Sequence, residues 1–352
     1  MKALVTGANG LIGANLVREL LAAGYDVRAM VRSSSNVSSL AGLAVEQVIG
    51  DILEPETLIP AAQGCEVIFH TAAVFAYGGY QAAELDRIAV QGTQNLLAAA
   101  AQARVRRVVL TSSSVVFGSS DRPVVRDETF TLQEPDAPAY ILAKAAQEQV
   151  AFAQAKELGL EVVAVCPTIV VGPYDVRLGP SNGLIIAYLT DPFKMTFPGG
   201  CNIVSAADVA RGHRLAAEEG RPGRRYILGA ENLEWPAIHG LISELCGLQG
   251  PYFFANHTAS YLAATAAELL AAVTRQPPLT TRAQAKMVGR YYWYRHNKAA
   301  ALGYKPGPAR QALAQAIAWL AASPHVSRQL RSALTLSREV YAARKTAAGP
   351  GD

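Results

Sequence analysis

The sequence predicts an α/β protein in which a doubly wound parallel sheet is followed by a smaller, mostly helical C-terminal lobe. Its first half alternates short apolar, β-rich runs with longer segments rich in Ala and Leu. This is the order expected for right-handed strand–helix–strand units. The apolar runs lack a polar face, as strands do when helices cover both sides of a sheet. After Pro173, Pro, Gly and aromatic residues become frequent, which indicates a change of architecture.

Six apolar runs supply the predicted strands of the sheet. In chain order they are KALVTG, DVRAMVR, AVEQVIGD, EVIFHTA, RRVVLTSSS and EVVAVCP. We expect residues 1–172 to form the sheet domain, with 203–230 returning to it. Residues 173–202 and 231–322 are expected to form the smaller lobe, and 323–352 to add one extra helix and a tail.

Glycines mark the junction between the first strand and the first helix, in VTGANGLIGANLVREL. Glycine here permits a tight turn, close approach of the backbone to a pyrophosphate and close packing of helix on strand. The N-terminus of the helix would then face the anion. A plain packing turn is the alternative, but strand–turn–helix is the context that dinucleotide binding requires. The cofactor-binding residues predicted from this segment are Gly7, Asn9, Gly10, Leu11, Ile12 and Gly13.

Arg32 ends the second predicted strand, where an acidic residue usually meets a cofactor that lacks a 2′-phosphate. An arginine can hold a phosphate through two parallel hydrogen bonds, so Arg32 favours NADP(H) over NAD(H). A solvated surface arginine is the alternative interpretation. After the third strand, Asp51 and Ile52 are predicted to flank the adenine.

Tyr140 and Lys144 stand four residues apart in YILAK, so a helix would place their polar groups on one face. Such pairs also arise by chance in ordinary helices. Ser113 belongs to the TSSS that ends the fifth predicted strand, and serines at such a position often only cap or turn the chain. In an open α/β sheet, however, ligands bind at the carboxyl ends of the strands. We therefore predict that the three residues meet over the cofactor as the catalytic set.

Composition and charge argue against several classes of function. The chain has 352 residues, 51% hydrophobic and 17% charged, and its net charge of +4 comes from scattered basic residues. That balance argues against disorder and against nucleic-acid binding.

Four dispersed cysteines have no metal-ligand or disulfide spacing, and no apolar stretch is long enough to span a bilayer. A strand follows Met1 at once, so we expect a cytoplasmic protein without a signal peptide. His213, Arg104, Arg106 and Arg107 are expected to be solvated.

Together these motifs resemble the extended short-chain dehydrogenase/reductases, also called the NAD-dependent epimerase/dehydratase family. The resemblance rests on the glycine triplet, the TSSS strand end, Tyr140-x-x-x-Lys144 and CPTIVVGP, and it runs from residue 1 to about residue 322. It is nearest to dihydroflavonol-4-reductase-like proteins and hopanoid-associated sugar epimerases. It implies a Rossmann domain that binds a nicotinamide dinucleotide and a C-terminal lobe that binds the substrate.

The resemblance implies a role for each member of the catalytic set. Tyr140 matches the catalytic acid/base, and Ser113 matches the hydroxyl that holds the substrate oxygen. Lys144 matches the residue that binds the nicotinamide ribose and lowers the pKa of the phenol. A phenol titrates near 10, and a neighbouring ammonium plus an oxidised nicotinamide favour the phenolate.

Further cofactor contacts and one departure follow from the same resemblance. The matching residues beside the cofactor are Thr71, Ala72, Ala73, Tyr140, Lys144, Pro167 and Val170. The family often carries Asn where this chain has Ala89. A proton relay through that asparagine is therefore absent or rerouted.

Two enzymatic functions remain open: reduction of a ketone or aldehyde of a hydrophobic small molecule by NADP(H), and epimerisation of a nucleotide sugar with tightly bound NAD(P). The reductase is favoured because TSSSVV lacks the acidic pair of the sugar-nucleotide 4,6-dehydratases. The candidate pocket residues are also aromatic or apolar, whereas a diphosphate requires several cations. They are Phe75, Tyr77, Tyr80, Tyr174, Phe193, Met195 and Phe197. A non-catalytic cofactor sensor is least favoured because the catalytic set is intact.

The expected partner is therefore a small-molecule carbonyl or alcohol, without nucleic acid, metal or a transmembrane span. NAD(H) is the alternative cofactor, and the sequence leaves monomer and homodimer both open.

Overall fold

The computed structural model describes residues 1–73, 81–134, 136–274 and 282–347. Seven parallel strands form its main sheet: β1 (Lys2–Thr6), β2 (Asp26–Val31), β3 (Glu46–Ile49), β4 (Val67–His70), β5 (Arg107–Thr111), β6 (Glu161–Pro167) and β10 (Arg225–Leu228). Their order across the sheet is β10-β6-β5-β4-β1-β2-β3. The strand order reverses between β1 and β4, which is where ligands bind in open α/β sheets. The predicted doubly wound parallel sheet is confirmed, with all six of its predicted strands.

Helices cover both faces of this sheet. Helices α1 (Leu11–Ala22) and α7 (Ala206–Glu219) pack on one face, and α2 (Pro55–Ala62), α4 (Gly92–Gln102) and α5 (Ala139–Leu158) pack on the other. A short helix α3 (Ala82–Asp86) and a π-helical turn lead into α4. Along β1, Ala3 and Val5 enter the first core while Leu4 enters the second. Because successive side chains of a strand point to opposite faces, a strand buried on both sides reads as one apolar run.

A second, smaller sheet lies beyond the carboxyl end of β6. Its central strand β9 (Gly200–Ser205) pairs with β7 (Ile169–Val171), β11 (Glu231–Glu234) and β13 (Tyr291–Tyr292). A two-stranded pair joins β8 (Met195–Thr196) to β12 (Phe253–Phe254). Within 203–230, β10 thus lies in the main sheet and the last residues of β9 lie in the second. The division into domains stays a prediction.

The remaining helices belong to the C-terminal half. They are α6 (Pro180–Thr190), α8 (Trp235–Cys246), α9 (His257–Thr274), α10 (Arg282–Ala285), α11 (Asn297–Ala300), α12 (Ala309–Ala322), α13 (Arg328–Ala333) and α14 (Arg338–Ala347). Two helices, α13 and α14, thus follow α12 where the sequence predicts one. Val340 of α14 is fully buried in the core that α12 shares with α6 and α8. No helix in the described ranges is both long and apolar enough to cross a bilayer.

Two side chains that the sequence predicts to be solvated are buried. His213 has no exposed surface: its Nε2 lies 2.9 Å from Thr111 Oγ1 and its Nδ1 lies 2.8 Å from the Val209 carbonyl oxygen. Burial lowers the pKa of His213 to about 4, so the ring is neutral at physiological pH. Arg107 is also buried and pairs with Glu161 at 2.8 Å. Both predictions were wrong because Thr111 and Glu161, which replace water at His213 and Arg107, lie far from them in the sequence.

Candidate active site

The glycine turn lies at the switch point between β1 and β4. Gly7 adopts a left-handed φ of +65°, and a Cβ at this position would lie 2.8 Å from Ala72 Cα. A Cβ at Gly13 would overlap the Gly7 carbonyl oxygen, so α1 can pack this close to the turn only with glycine there. Gly10 caps α1 without a side-chain hydrogen bond, and the first N–H groups of a helix have no intrahelical partner. The turn therefore fits the pyrophosphate of a dinucleotide.

The loop that follows β2 is tied to the glycine turn. Asn9 Nδ2 donates to the Asn36 carbonyl oxygen at 3.0 Å, and Ser39 Oγ donates to the Asn9 carbonyl oxygen at 3.2 Å. Arg32 is exposed on this loop and makes no salt bridge within the described part of the chain. Residues 32–36 contain no carboxylate. A free cation thus stands at the end of β2, where the sequence places a 2′-phosphate contact.

Asp51 and Ile52, which follow β3, are engaged with the protein itself. Asp51 Oδ1 accepts a hydrogen bond from Leu53 N at 2.9 Å. Ile52 is buried, and its side chain fills the space beside Gly92 at the start of α4. Their contact with an adenine stays a prediction.

The residues after β4 close one side of the glycine turn. Thr71 Oγ1 donates to the Thr6 carbonyl oxygen at 2.6 Å, and Ala72 N donates to Thr6 Oγ1 at 3.3 Å. Ala73 lines a pocket together with Tyr140 and Lys144. The ends of β1 and β4 and the start of α5 are therefore brought together, as the sequence predicts.

Pro167 and Val170 lie in two different sheets. Pro167 ends β6 in the main sheet, whereas Val170 lies in β7 and pairs with Val204. The Val170 side chain is buried in the core on the α1 face. Neither residue lines the pocket of Tyr140 and Lys144 in the described part of the chain.

Tyr140 lies in the first turn of α5, and Lys144 follows one turn later on the same face. Both side chains are buried. Lys144 Nζ donates to the Thr111 carbonyl oxygen at 2.9 Å and to Gln147 Oε1 at 2.9 Å. A hydrogen bond joins Tyr140 to Ser113, the residue that follows the end of β5 by two positions. The predicted catalytic residues therefore meet at one edge of the sheet.

The pKa values of the pair are set mainly by burial. Burial raises the pKa of Tyr140 to about 12, and the hydrogen bond with Ser113 opposes that change. Burial lowers the pKa of Lys144 to about 8, and the nearby Cys166 and Glu148 oppose it. The predicted lowering of the tyrosine pKa does not occur in the protein alone. Loss of hydration disfavours the phenolate more than the neighbouring groups favour it.

A chain of buried hydrogen bonds that the sequence analysis missed runs from Lys144 to β1. Gln147 Oε1 accepts from Lys144, while Gln147 Nε2 donates to Thr93 Oγ1 at 2.8 Å. Thr93 Oγ1 lies 3.2 Å from His70 Nε2, and His70 Nδ1 lies 2.9 Å from Thr6 Oγ1. The Lys144 ammonium can only donate, so the amide oxygen must face the lysine and the amide nitrogen faces Thr93. The spacing of Lys144 and Gln147 is i,i+3, which is the one signal visible in the sequence.

The pocket beside Tyr140 is small and largely apolar. It is lined by Ala73, Leu85, Ala89, Tyr140, Ala143 and Lys144. Ala89 lines the pocket without a polar group, and Lys144 Nζ donates to Gln147 Oε1.

The aromatic residues predicted to line the pocket are placed elsewhere or lie outside the described residues. Phe75, Tyr77 and Tyr80 fall in the second group. Tyr174 lies beneath Arg18 of α1, with the guanidinium carbon 3.5 Å from the ring centroid. Phe193 contacts Phe253, Met195 is exposed, and Phe197 packs on Trp235. Among the residues that the structure describes, the apolar lining of the pocket therefore consists of alanines and Leu85.

In the described ranges, no group of three or more His, Cys, Asp or Glu side chains is placed to bind a metal ion. All four cysteines are buried and unpaired.

A seven-stranded doubly wound sheet with a glycine turn at its switch point defines a dinucleotide-binding protein of the Rossmann type. The chain belongs to the NAD dependent epimerase/dehydratase family, whose sequence pattern matches residues 3–229. It is therefore an enzyme of the extended short-chain dehydrogenase/reductase type, in a family that depends on a nicotinamide dinucleotide.

Similar proteins cover nearly the whole chain. The Synechocystis protein named "Putative dihydroflavonol 4-reductase" is 35% identical over 335 residues, which span 92% of this chain and 96% of that protein. The crystal structure of gox2253 has a TM-score of 0.81 at 33% identity and covers 92% of this chain and 99% of its own. A nucleoside-diphosphate-sugar epimerase from Pseudomonas aeruginosa has a TM-score of 0.75 at 27% identity, with 93% and 99% covered.

Proposed function

We propose that this enzyme is an NADP(H)-dependent oxidoreductase that reduces a ketone or aldehyde of a hydrophobic small molecule. The observation that carries the proposal is the pocket shared by Ala73, Tyr140 and Lys144 beside the glycine turn. Residues 1–172 and 203–230 form the cofactor-binding domain, and 173–202 with 231–322 form the substrate-binding lobe. The four unpaired cysteines support a cytoplasmic location.

The loop after β2 supports NADP(H) as the cofactor. Arg32 is exposed there, has no carboxylate partner among the described residues, and is held near the glycine turn by the bonds of Asn9. A guanidinium matches the geometry of a phosphate monoester and also neutralises its charge. An NAD(H) enzyme would use a carboxylate at this point, and residues 32–36 supply none.

Tyr140 donates the proton in the proposed reduction. When bound, the nicotinamide cofactor supplies the hydride to the carbonyl carbon. Tyr140 gives its phenolic proton to the carbonyl oxygen as that oxygen gains the electron pair, and Ser113 donates a hydrogen bond to the same atom. Because burial raises the pKa of Tyr140 to about 12, the phenol carries its proton at neutral pH. In this protonated state Tyr140 is able to act as the proton donor that the reduction requires.

Lys144 stabilises the site through its three N–H donors. Two of them are directed to the Thr111 carbonyl oxygen and to Gln147 Oε1, which leaves one for the ribose of the cofactor. Its charge also stabilises the phenolate that forms when Tyr140 has given up its proton. With the pKa of Lys144 lowered to about 8, this charge is lost as the pH rises through that value.

The pocket supports a hydrophobic substrate rather than a nucleotide sugar. Apart from Tyr140 and Lys144, its described lining consists of three alanines and Leu85. A sugar diphosphate would require further cations to neutralise it. The full-length similarity to a protein named as a reductase points the same way, while the similarity to a nucleoside-diphosphate-sugar epimerase keeps epimerisation as the competing outcome.

Purified protein should oxidise NADPH when given aromatic or aliphatic ketones and aldehydes, and should use NADH much less well. The measurement is the loss of absorbance of the reduced nicotinamide across such a panel, with nucleotide sugars in parallel. Conversion of a nucleotide sugar with no net change in that absorbance, by protein purified with its cofactor bound, would replace the reductase by the epimerase.

Gln147 should set the pH range over which the enzyme works, since its amide oxygen accepts a hydrogen bond from Lys144. In Gln147→Met the ammonium loses this acceptor, so its pKa falls further, and the alkaline limb of kcat/KM should move down by about one pH unit. In Gln147→Glu a carboxylate faces the ammonium, and the same limb should move up by about one unit or more.

The control is Gln154→Met. It removes an amide nearer the C-terminal end of α5, whose Nε2 donates to the Gln94 carbonyl oxygen. It should leave the pH profile of the parent unchanged. Two Gln147 variants with the parent's alkaline limb would show that this limb does not report Lys144.

A further inference from the structure

An arginine that no motif predicts lies over the glycine turn. Arg177 belongs to the loop between β7 and α6, and a Cβ at Gly10 would lie 3.3 Å from its Nη2 atom. Arg177 is exposed and makes neither a salt bridge nor a side-chain hydrogen bond to any described residue. A guanidinium that makes no salt bridge to the described residues therefore lies against the backbone that the sequence assigns to the pyrophosphate, and the buried Asp175 interacts with it electrostatically without direct pairing.

The loop that carries Arg177 is held in place by hydrogen bonds to Asp175. The buried Asp175 anchors it, because its Oδ2 accepts from Gly179 N at 2.8 Å and from Asn182 Nδ2 at 3.2 Å. Leu178 N also donates to the Asp175 carbonyl oxygen at 3.0 Å. Asp175 Oδ2 and the Asp175 main-chain oxygen are thereby engaged within the loop.

The same loop is fastened to α1, the helix whose N-terminus begins at the glycine turn. Asn15 Nδ2 donates to the Pro173 carbonyl oxygen at 3.0 Å. One turn further along α1, Arg18 stacks on Tyr174. These contacts fix where the loop crosses α1, and so they fix Arg177 over the start of that helix.

We propose that Arg177 binds the pyrophosphate of the dinucleotide at the glycine turn. The N–H groups of a helix N-terminus supply only partial charge, and an arginine fork adds a full charge with two aligned donors. The pyrophosphate is common to NADPH and NADH, so Arg177 sets the affinity for both, whereas Arg32 distinguishes between them. The proposal rests on the proposed function only in requiring that a dinucleotide binds at this turn.

Direct binding separates the two arginines without any turnover. The affinities are measured by calorimetric titration with four ligands. NADPH carries both the pyrophosphate and the 2′-phosphate, NADH and ADP-ribose carry only the pyrophosphate, and adenosine 2′-monophosphate carries only the 2′-phosphate. Arg177→Gln should weaken NADPH, NADH and ADP-ribose by roughly ten- to one-hundredfold and leave adenosine 2′-monophosphate unchanged. Arg32→Gln should weaken NADPH and adenosine 2′-monophosphate by a similar factor and leave the other two unchanged.

Two further variants complete the experiment. Arg177→Lys keeps the positive charge but loses the two parallel N–H donors of the guanidinium. Its affinity for ADP-ribose should therefore lie between those of Arg177→Gln and the parent. It also serves as the test if Arg177→Gln does not fold. Arg224→Gln removes an exposed arginine just before β10, at the amino edge of the sheet, and should bind every ligand as the parent does.

An Arg177→Gln protein that binds ADP-ribose as tightly as the parent would overturn the proposal, and so would one that loses only the 2′-phosphate ligands. A folded parent that binds none of the dinucleotides would instead defeat the proposed use of a cofactor. The failure of Arg177 and the failure of the function are therefore distinguishable.

Discussion

Replacing Tyr140 by Phe is expected to lower kcat by about 10²- to 10⁴-fold while leaving the affinity for NADPH unchanged. The substitution removes one oxygen from a buried ring and leaves its shape, so the pocket keeps its other lining groups. The carbonyl oxygen of the substrate then has no proton donor, and Ser113 can only stabilise it through a hydrogen bond. Steady-state kinetics and calorimetric titration of NADPH provide the two measurements.

Tyr188→Phe is the matched control for this variant. Tyr188 is also buried, and its hydroxyl lies 2.7 Å from Ser243 Oγ in the C-terminal half of the chain. Its loss should reduce the melting temperature without lowering kcat. If Tyr140→Phe turned over as fast as the parent, the assignment of the proton donor would be wrong, whatever the substrate.

The second large effect is expected at Arg32. Arg32→Glu replaces an attraction for the 2′-phosphate by a repulsion, while the new carboxylate can accept hydrogen bonds from the ribose of NADH. The ratio of kcat/KM for NADPH to that for NADH should fall by roughly a hundredfold or more. Most of the change should appear in KM for NADPH, because the residue lies far from the proton-donating phenol.

Arg224→Glu carries the same change of charge at the amino edge of the sheet. It controls for the effect of net charge on a polyanionic cofactor and should preserve the parent ratio. A parent that uses NADH as well as NADPH, or an Arg32→Glu variant with the parent ratio, would show that the 2′-phosphate is not bound by Arg32.

The sequence was sufficient to predict the main sheet and the glycine turn at its switch point. A strand with both faces buried must be apolar throughout, and that signal fits β1, β4, β5 and β6, whereas β3 lies at the edge of the sheet and is mostly exposed. The glycine turn could be predicted because backbone geometry there allows no side chain: Gly7 has a positive φ, and Gly13 contacts the Gly7 carbonyl oxygen. Both signals are local in the chain and therefore visible in one sequence.

The rest of the site depends on contacts between distant segments. Gln147 meets Thr93 across two helices, and Arg177 reaches Gly10 from a loop in the other half of the chain. Neither contact leaves a spacing that can be recognised beforehand. The aromatic residues were assigned to the pocket by composition alone, and Tyr174 instead packs against Arg18.

The pKa of Tyr140 is another property of the site that could not be predicted from the sequence. Spacing identified the neighbouring charge of Lys144 but could not show how much water the fold removes from the phenol. Desolvation acts against the charged form of any buried acid, and here it is the largest contribution. The outcome is a phenol that holds its proton at neutral pH.

Transfer of deuterium tests the central claim most directly. The protein is incubated with NADPH that carries deuterium in place of the transferable hydrogen on its nicotinamide, together with the panel of hydrophobic ketones and aldehydes. The account predicts an alcohol with one deuterium on the former carbonyl carbon, formed in step with loss of NADPH and suppressed in Tyr140→Phe. An enzyme that leaves the label in its cofactor, and converts a nucleotide sugar without consuming NADPH, would contradict it.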